Sequence, residues 1–114
     1  MKQQIKICMI GAGRVGKNHS RALTRHIAAV KIVALVDPIA EVRNETAREF
    51  AIEQQFDTLE MALERADFDA VVITTPTPTH LPLTQLAADY KKHVFLEKPM
   101  ALNLEECDGI MRAV

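Results

Sequence analysis

The sequence is poor in most of the residues that announce a specialised protein. It has no tryptophan, one tyrosine and four phenylalanines among 114 residues. Its two cysteines, Cys8 and Cys107, are far apart and show no CxxC spacing. That argues against a disulfide scaffold, a zinc site or any other metal centre, and suggests a reducing, cytoplasmic setting. No stretch approaches 18 consecutive apolar residues, so nothing reads as a membrane span. The opening Met1-Lys2-Gln3-Gln4 runs straight into an apolar segment and does not read as a signal peptide. Neither sign of charge dominates: 14 basic and 15 acidic residues give a net charge of −1. With these spread along the chain there is no basic face for nucleic acid and no polybasic run for an anionic membrane. Glycine is scarce as well, at four residues, yet three of them fall within one six-residue run.

What is present is an alternation of short apolar runs with longer amphipathic stretches. The pattern predicts strands over Ile5–Ile10, Lys31–Val36, Gln54–Phe56, Asp69–Thr74 and His93–Leu96. Between them it predicts helices over Val15–Ala29, Ala40–Ala51, Leu59–Arg65 and His80–Tyr90, with a last one opening at Asn103 and running nearly to Val114. Asp57 with Glu60 three residues on resembles a capping box, and Thr79 is placed to cap the fourth helix. The strong strands are continuous Val/Ile/Leu runs, as expected of strands buried on both faces of a parallel sheet. Strand–helix–strand repetition implies right-handed crossovers and an α/β, doubly wound, Rossmann-type sheet of order 3-2-1-4-5. Residues 1–114 read as a single dinucleotide-binding domain, short of the sixth strand of a full dinucleotide fold. The fifth strand would then be an open edge, through which a homodimer could pair.

The glycine run is Gly11-Ala12-Gly13-Arg14-Val15-Gly16, set between a strand and a helix. In that context each glycine has a separate task. Gly11 permits the turn out of the strand, Gly13 lets a pyrophosphate approach the backbone, and Gly16 lets the helix pack closely on the strand. The helix start supplies N–H donors and a partial positive charge for the phosphates. The plainer alternative is a strand-to-helix turn that merely needs glycine. Asp37 closes the second strand, 21 residues beyond Gly16. A carboxylate there can accept from both hydroxyls of an adenosine ribose and would repel a 2′-phosphate, so NAD is expected over NADP. Alternatively Asp37-Pro38 only ends the strand.

Two further loops leave the same end of the sheet. Thr74-Thr75-Pro76-Thr77-Pro78-Thr79-His80 is stiffened by its prolines, and Glu97-Lys98-Pro99 follows the fifth strand. Ligands of open α/β sheets bind at the carboxyl ends of the strands, near the switch point between strands one and four. Lys98 is the candidate catalytic group, able to hydrogen-bond a substrate hydroxyl, unless it is a solvated strand-end lysine. His80 is either a ligand-edge residue or a first-turn helix residue, and His19 reads as structural.

Taken together, GAGRVGKNH (Gly11–His19), Asp37, TPTPTH (Thr75–His80) and HVFLEKPMA (His93–Ala101) resemble the amino-terminal domain of the Gfo/Idh/MocA oxidoreductases. The resemblance implies that Gly11, Ala12, Gly13, Arg14, Val15 and Gly16 hold the pyrophosphate of NAD and that Asp37 holds the adenosine ribose. It implies that Thr75, Pro76 and His80 flank the nicotinamide half. Glu97 and Lys98 would lie beside nicotinamide and substrate, with Lys98 assisting catalysis. Substrates would be sugars, cyclitols or other polyols, and the reaction hydride transfer. Two departures stand out. Tyr90-Lys91 occupies a stretch where the family carries a glycine. The family's second domain, which supplies a catalytic acid–histidine pair, has no counterpart in the sequence. Little or no turnover is therefore expected of the chain alone. The competing readings are a stand-alone dinucleotide-binding module and a structural, self-assembling protomer.

Overall fold

In the computed structural model, residues 4–96 and 104–113 are described. The elements follow in the order β1 (Ile5–Ile10), α1 (Arg14–His26), β2 (Val30–Val36), α2 (Ala40–Phe50), β3 (Gln54–Phe56), α3 (Leu59–Arg65), β4 (Ala70–Ile73), α4 (His80–Asp89), β5 (His93–Leu96) and α5 (Leu104–Ala113). A short 3₁₀ turn, Thr77–Thr79, precedes α4. The five strands form one sheet of order β3-β2-β1-β4-β5, as expected, and every neighbouring pair is parallel.

Both faces of the sheet are buried along its central strands β1, β2 and β4, and alternation along them divides the core in two. On one face Ile7 and Met9 of β1 and Val72 of β4 pack with Ala47 of α2, backed by Leu23 of α1. On the other, Cys8 and Ile10 of β1 and Val71 and Ile73 of β4 pack with Leu59, Ala62 and Leu63 of α3 and Ala87 of α4. β2 breaks the alternation once. Ile7 pairs with Ile32 but Cys8 pairs with Ala34, so Val33 is an extra residue. Val33 and Ala34 then both face the second core, while Leu35 returns to the first. This is a β-bulge, and it brings Val36 and Asp37 into register with the end of β1. α5 lies against α4: a methyl group on Gly109 would come within 3.0 Å of Leu81 Cδ1.

Three local expectations are corrected. The first helix runs Arg14–His26 rather than Val15–Ala29. α3 is capped by Thr58, whose Oγ1 accepts from Met61 N at 3.3 Å, because Thr58 is the extended residue at the helix start. The Asp57 side chain turns instead to Arg43. Thr79 does not cap α4 either. The preceding 3₁₀ turn already gives it helical backbone angles, and its hydroxyl donates back to Pro76 O at 2.6 Å.

The end of α4 answers the question raised by Tyr90-Lys91. Lys91 N–H reaches Ala88 O at 2.9 Å and Lys92 N–H reaches Ala87 O at 3.0 Å, the paired bonds of a Schellman stop. Lys91 itself sits in the left-handed region with φ 60°. Lys92 fixes the turn, its Nζ donating to Phe68 O at 2.7 Å and lying 4.9 Å from the centre of the Phe68 ring.

Candidate functional site at the carboxyl edge of the sheet

The chain leaves β1 through Gly11, whose N–H donates to Val36 O at 2.8 Å. Gly11 has φ +110°, and a Cβ there would lie 2.3 Å from Thr74 Oγ1. Both facts demand glycine. Thr74 occupies that space because its hydroxyl donates to Ile10 O at 2.8 Å, tying the ends of β1 and β4 together. Gly16, in the first turn of α1, is equally constrained: a Cβ would stand 2.0 Å from Gly11 O. Gly13 is different. A Cβ on it would meet no protein atom within 4 Å, and its φ of −77° is open to any residue. Among the described residues nothing requires glycine at this position.

Gly13 is also the N-cap of α1. No side chain caps the helix there, and its first turn contains no acid. Arg14 and Val15 are exposed beside it. The start of α1 thus has uncapped amide donors at the positive end of a 13-residue helix.

The turn is pinned from the α2 side. Ala12, fully buried, donates its N–H to Asp37 Oδ2 at 2.8 Å. Its carbonyl accepts from Thr46 Oγ1 at 3.3 Å. The other Asp37 oxygen, Oδ1, accepts from Ile39 N at 2.8 Å, closing the turn into α2. Asp37 is therefore a structural acceptor as well as a candidate ligand residue, and it faces the glycine turn directly. Sequence reasoning missed Thr46, whose one signal is a hydroxyl on the buried side of α2. It also missed Arg43, whose Nη1 donates to Asp37 O at 2.7 Å and to Asp57 Oδ1 at 2.5 Å.

The loop after β4 is held by its own hydroxyls. Thr79 donates to Pro76 O, so the 2.6 Å contact between Thr75 Oγ1 and Thr79 Oγ1 has Thr75 as donor. His80 is 1% exposed, and its Nε2 donates to Thr75 O at 2.9 Å. It braces the loop from inside the first turn of α4. Between this loop and the β2–α2 turn lies a cleft of about 650 Å³. Apolar groups of Ile10, Val36, Ile39, Pro76 and Leu83 form most of its wall, and its charged lining consists of Asp37, Asp57 and Glu60. Thr75 and Pro76 thus share a cleft with Asp37. Glu97 and Lys98 lie outside the described residues, past the end of β5 at Leu96.

A bare helix start beside an acid at the end of β2 is the arrangement that holds a dinucleotide in doubly wound sheets. Residues 5–114 match the oxidoreductase family with an NAD-binding Rossmann fold, Gfo/Idh/MocA. Over 106 residues the chain is 37% identical to scyllo-inositol 2-dehydrogenase (NAD(+)) of Bacillus subtilis (strain 168), covering 93% of this chain and 31% of that protein. It is 35% identical over 111 residues to inositol 2-dehydrogenase of Rhizobium meliloti (strain 1021), covering 96% of this chain and 32% of the relative. Among solved structures, scyllo-inositol dehydrogenase from Lactobacillus casei with bound cofactor NAD(H) and scyllo-inositol superimposes with a TM-score of 0.91 at 31% identity. That match covers 97% of this chain and 33% of the other. The chain spans about a third of the length of the curated relatives it matches.

Proposed function

The chain belongs to the Gfo/Idh/MocA oxidoreductase family, with its NAD-binding Rossmann fold, and from that membership we propose that it is the cofactor-holding part of an NAD-dependent oxidoreductase of cyclitols or related polyols. The observation that carries this reading is the start of α1. None of the described residues gives Gly13 a steric reason to be glycine, and in this reading it is where a diphosphate would approach the backbone. The uncapped amides after it would receive the phosphate oxygens, with Arg14 and Val15 flanking them.

Asp37 fits the ribose. An ionised carboxylate offers about four lone-pair sites. Ala12 N–H and Ile39 N–H take two of them, leaving acceptors for the two ribose hydroxyls. The apolar cleft beyond Asp37 would take the adenine, with Ile39 (59% exposed) and Pro76 as its walls. In this arrangement Thr75 and Pro76 serve the adenosine half rather than the nicotinamide half, and His80 acts through Thr75 as a positioning residue. When bound, NAD supplies the hydride acceptor. Lys98 is the residue we assign to the substrate hydroxyl, with Glu97 beside it. By itself the chain is expected to bind dinucleotide with little or no turnover. Among the described residues β5 forms one edge of the sheet, and a homodimer could pair through it or through another surface. The setting is taken as cytoplasmic, and among the described residues no helix is long and apolar enough to cross a membrane.

The test is Gly13→Ala. The added methyl group meets none of the described residues, so the fold should be kept, with the melting temperature lowered by only a few degrees because alanine caps a helix less well than glycine. The methyl group would instead intrude on the pyrophosphate. Titration calorimetry with NAD should show a loss of affinity of about tenfold or more, which is about 1.4 kcal/mol. Unchanged affinity in the variant, or no heat from the unmodified chain at millimolar NAD, would overturn the reading.

A further inference from the structure

The cleft that would take the adenosine has an entirely acidic set of charged lining residues among those described, Asp37, Asp57 and Glu60. A guanidinium nevertheless lies one peptide away. Arg43 projects from the first turn of α2 onto the main chain of Asp37, donating to Asp37 O at 2.7 Å. The same Nη1 donates to Asp57 Oδ1 at 2.5 Å, and Nε donates to Gln55 Oε1 at 3.3 Å. The Arg43 side chain is 13% exposed, whereas that of Asp57 is 64% exposed. The guanidinium is thus drawn in behind the residue that faces the ribose, and the oxygen that draws it comes from the β3–α3 turn. An arginine at this corner of a doubly wound sheet can equally accept a ribose 2′-phosphate.

We propose that the Asp57–Arg43 ion pair is a second determinant of cofactor choice, holding Arg43 away from the ribose so that only the Asp37 carboxylate meets it. This inference rests on the nucleotide-binding reading above. It goes beyond the repulsion of a 2′-phosphate by Asp37, since it assigns part of the discrimination to a residue on a different strand–helix turn. Releasing the arginine should therefore loosen discrimination with Asp37 still in place.

The experiment compares the unmodified chain with Asp57→Asn, Arg43→Gln and the double variant, titrating each with NAD and with NADP. Asp57 is exposed and the amide is isosteric, so the single variant should keep its fold, which a thermal melt verifies, while its neutral oxygen holds the guanidinium much more weakly than the carboxylate does. Asp57→Asn should gain at least tenfold in NADP affinity relative to NAD. Arg43→Gln should show no such gain, and the double variant should lose it. Two results would overturn the proposal with NAD binding intact. One is an unchanged NAD-to-NADP ratio in Asp57→Asn. The other is a gain that persists in the double variant, which would make it a simple consequence of removing one negative charge. Failure of the unmodified chain to bind either nucleotide would instead remove the underlying reading, and this inference with it.

Discussion

Replacing Asp37 with Ala should unfold the domain more easily before any nucleotide is considered. The carboxylate accepts two main-chain N–H groups, each at 2.8 Å. The two are not equivalent. Ala12 is fully buried, so its amide loses its partner without gaining water. A hydrogen bond to a charged group contributes about 1.5–3 kcal/mol, and an orphaned buried donor keeps the whole of that penalty. Ile39 is largely exposed, so water replaces much of the second bond. The sum is a destabilisation of about 2–4 kcal/mol, a large part of the ~5–15 kcal/mol that holds a small domain together. For a domain of this size that corresponds to a drop in melting temperature of about 10 °C. Asp37→Asn should fall between, since its amide oxygen satisfies one donor while its NH₂ faces the other. Thermal and urea unfolding without nucleotide measure this directly. A melting temperature for Asp37→Ala within a degree or two of the unmodified chain would refute the argument. It would mean that the turn at Ala12 is held by other contacts. Nucleotide affinity in these variants has to be read where both proteins are folded, or a loss of fold will pass for a loss of binding.

Two further outcomes follow from single residues. Lys91→Gly should raise stability by about 0.5–1 kcal/mol in a urea melt, because relief of a left-handed φ of 60° outweighs the entropy that glycine adds to the unfolded chain. A fall in stability would show that the lysine side chain itself holds the turn. Cys8 is fully buried, and burial pushes its thiol up from 9.0 to about 12. In a Cys107→Ser background it should resist a thiol reagent at pH 8 until denaturant is added. Its raised folded value also sets a sign: its contribution to stability is whole below pH 9 and is lost as pH rises toward 12. Rapid labelling of the native protein would contradict this burial.

The strand order, the two faces of helices and the glycine turn were legible because each is written locally. Ile5–Ile10 followed by Gly11-Ala12-Gly13 signals its own turn, and Asp37 is placed by its distance along the chain. The bulge at Val33 could not be read. Lys31–Val36 is apolar almost throughout, so the run carries no alternation from which a change of face could be noticed. Nor could the bonds that hold the site. Thr46 reaches Ala12 across 34 residues, and Arg43 reaches Asp57 across 14. Either residue on its own looks like an ordinary position on a charged helix. His80 shows the same limit: its sequence context allowed a ligand-facing or an internal ring, and only packing decides that it sits inside, holding Thr75.

The contrast among the three glycines separates the part of this edge that the fold itself requires from the part that it leaves open. At Gly11 and Gly16 a methyl group would collide with Thr74 and with the Gly11 carbonyl, so those positions would be glycine in any chain that closes this turn. At Gly13 no such collision exists. Folding alone would mildly favour Ser, Asn or Asp there, since each stabilises an N-cap by about 0.3 kcal/mol over glycine. The chain forgoes that cap and places no acid in the first turn to compensate. A helix start that no side chain caps among the described residues, next to a buried carboxylate that spends one oxygen on that turn and the other on the turn into α2, is not the most stable solution open to this sequence. It is the arrangement expected when an anion with a hydroxyl-bearing neighbour supplies the missing partners.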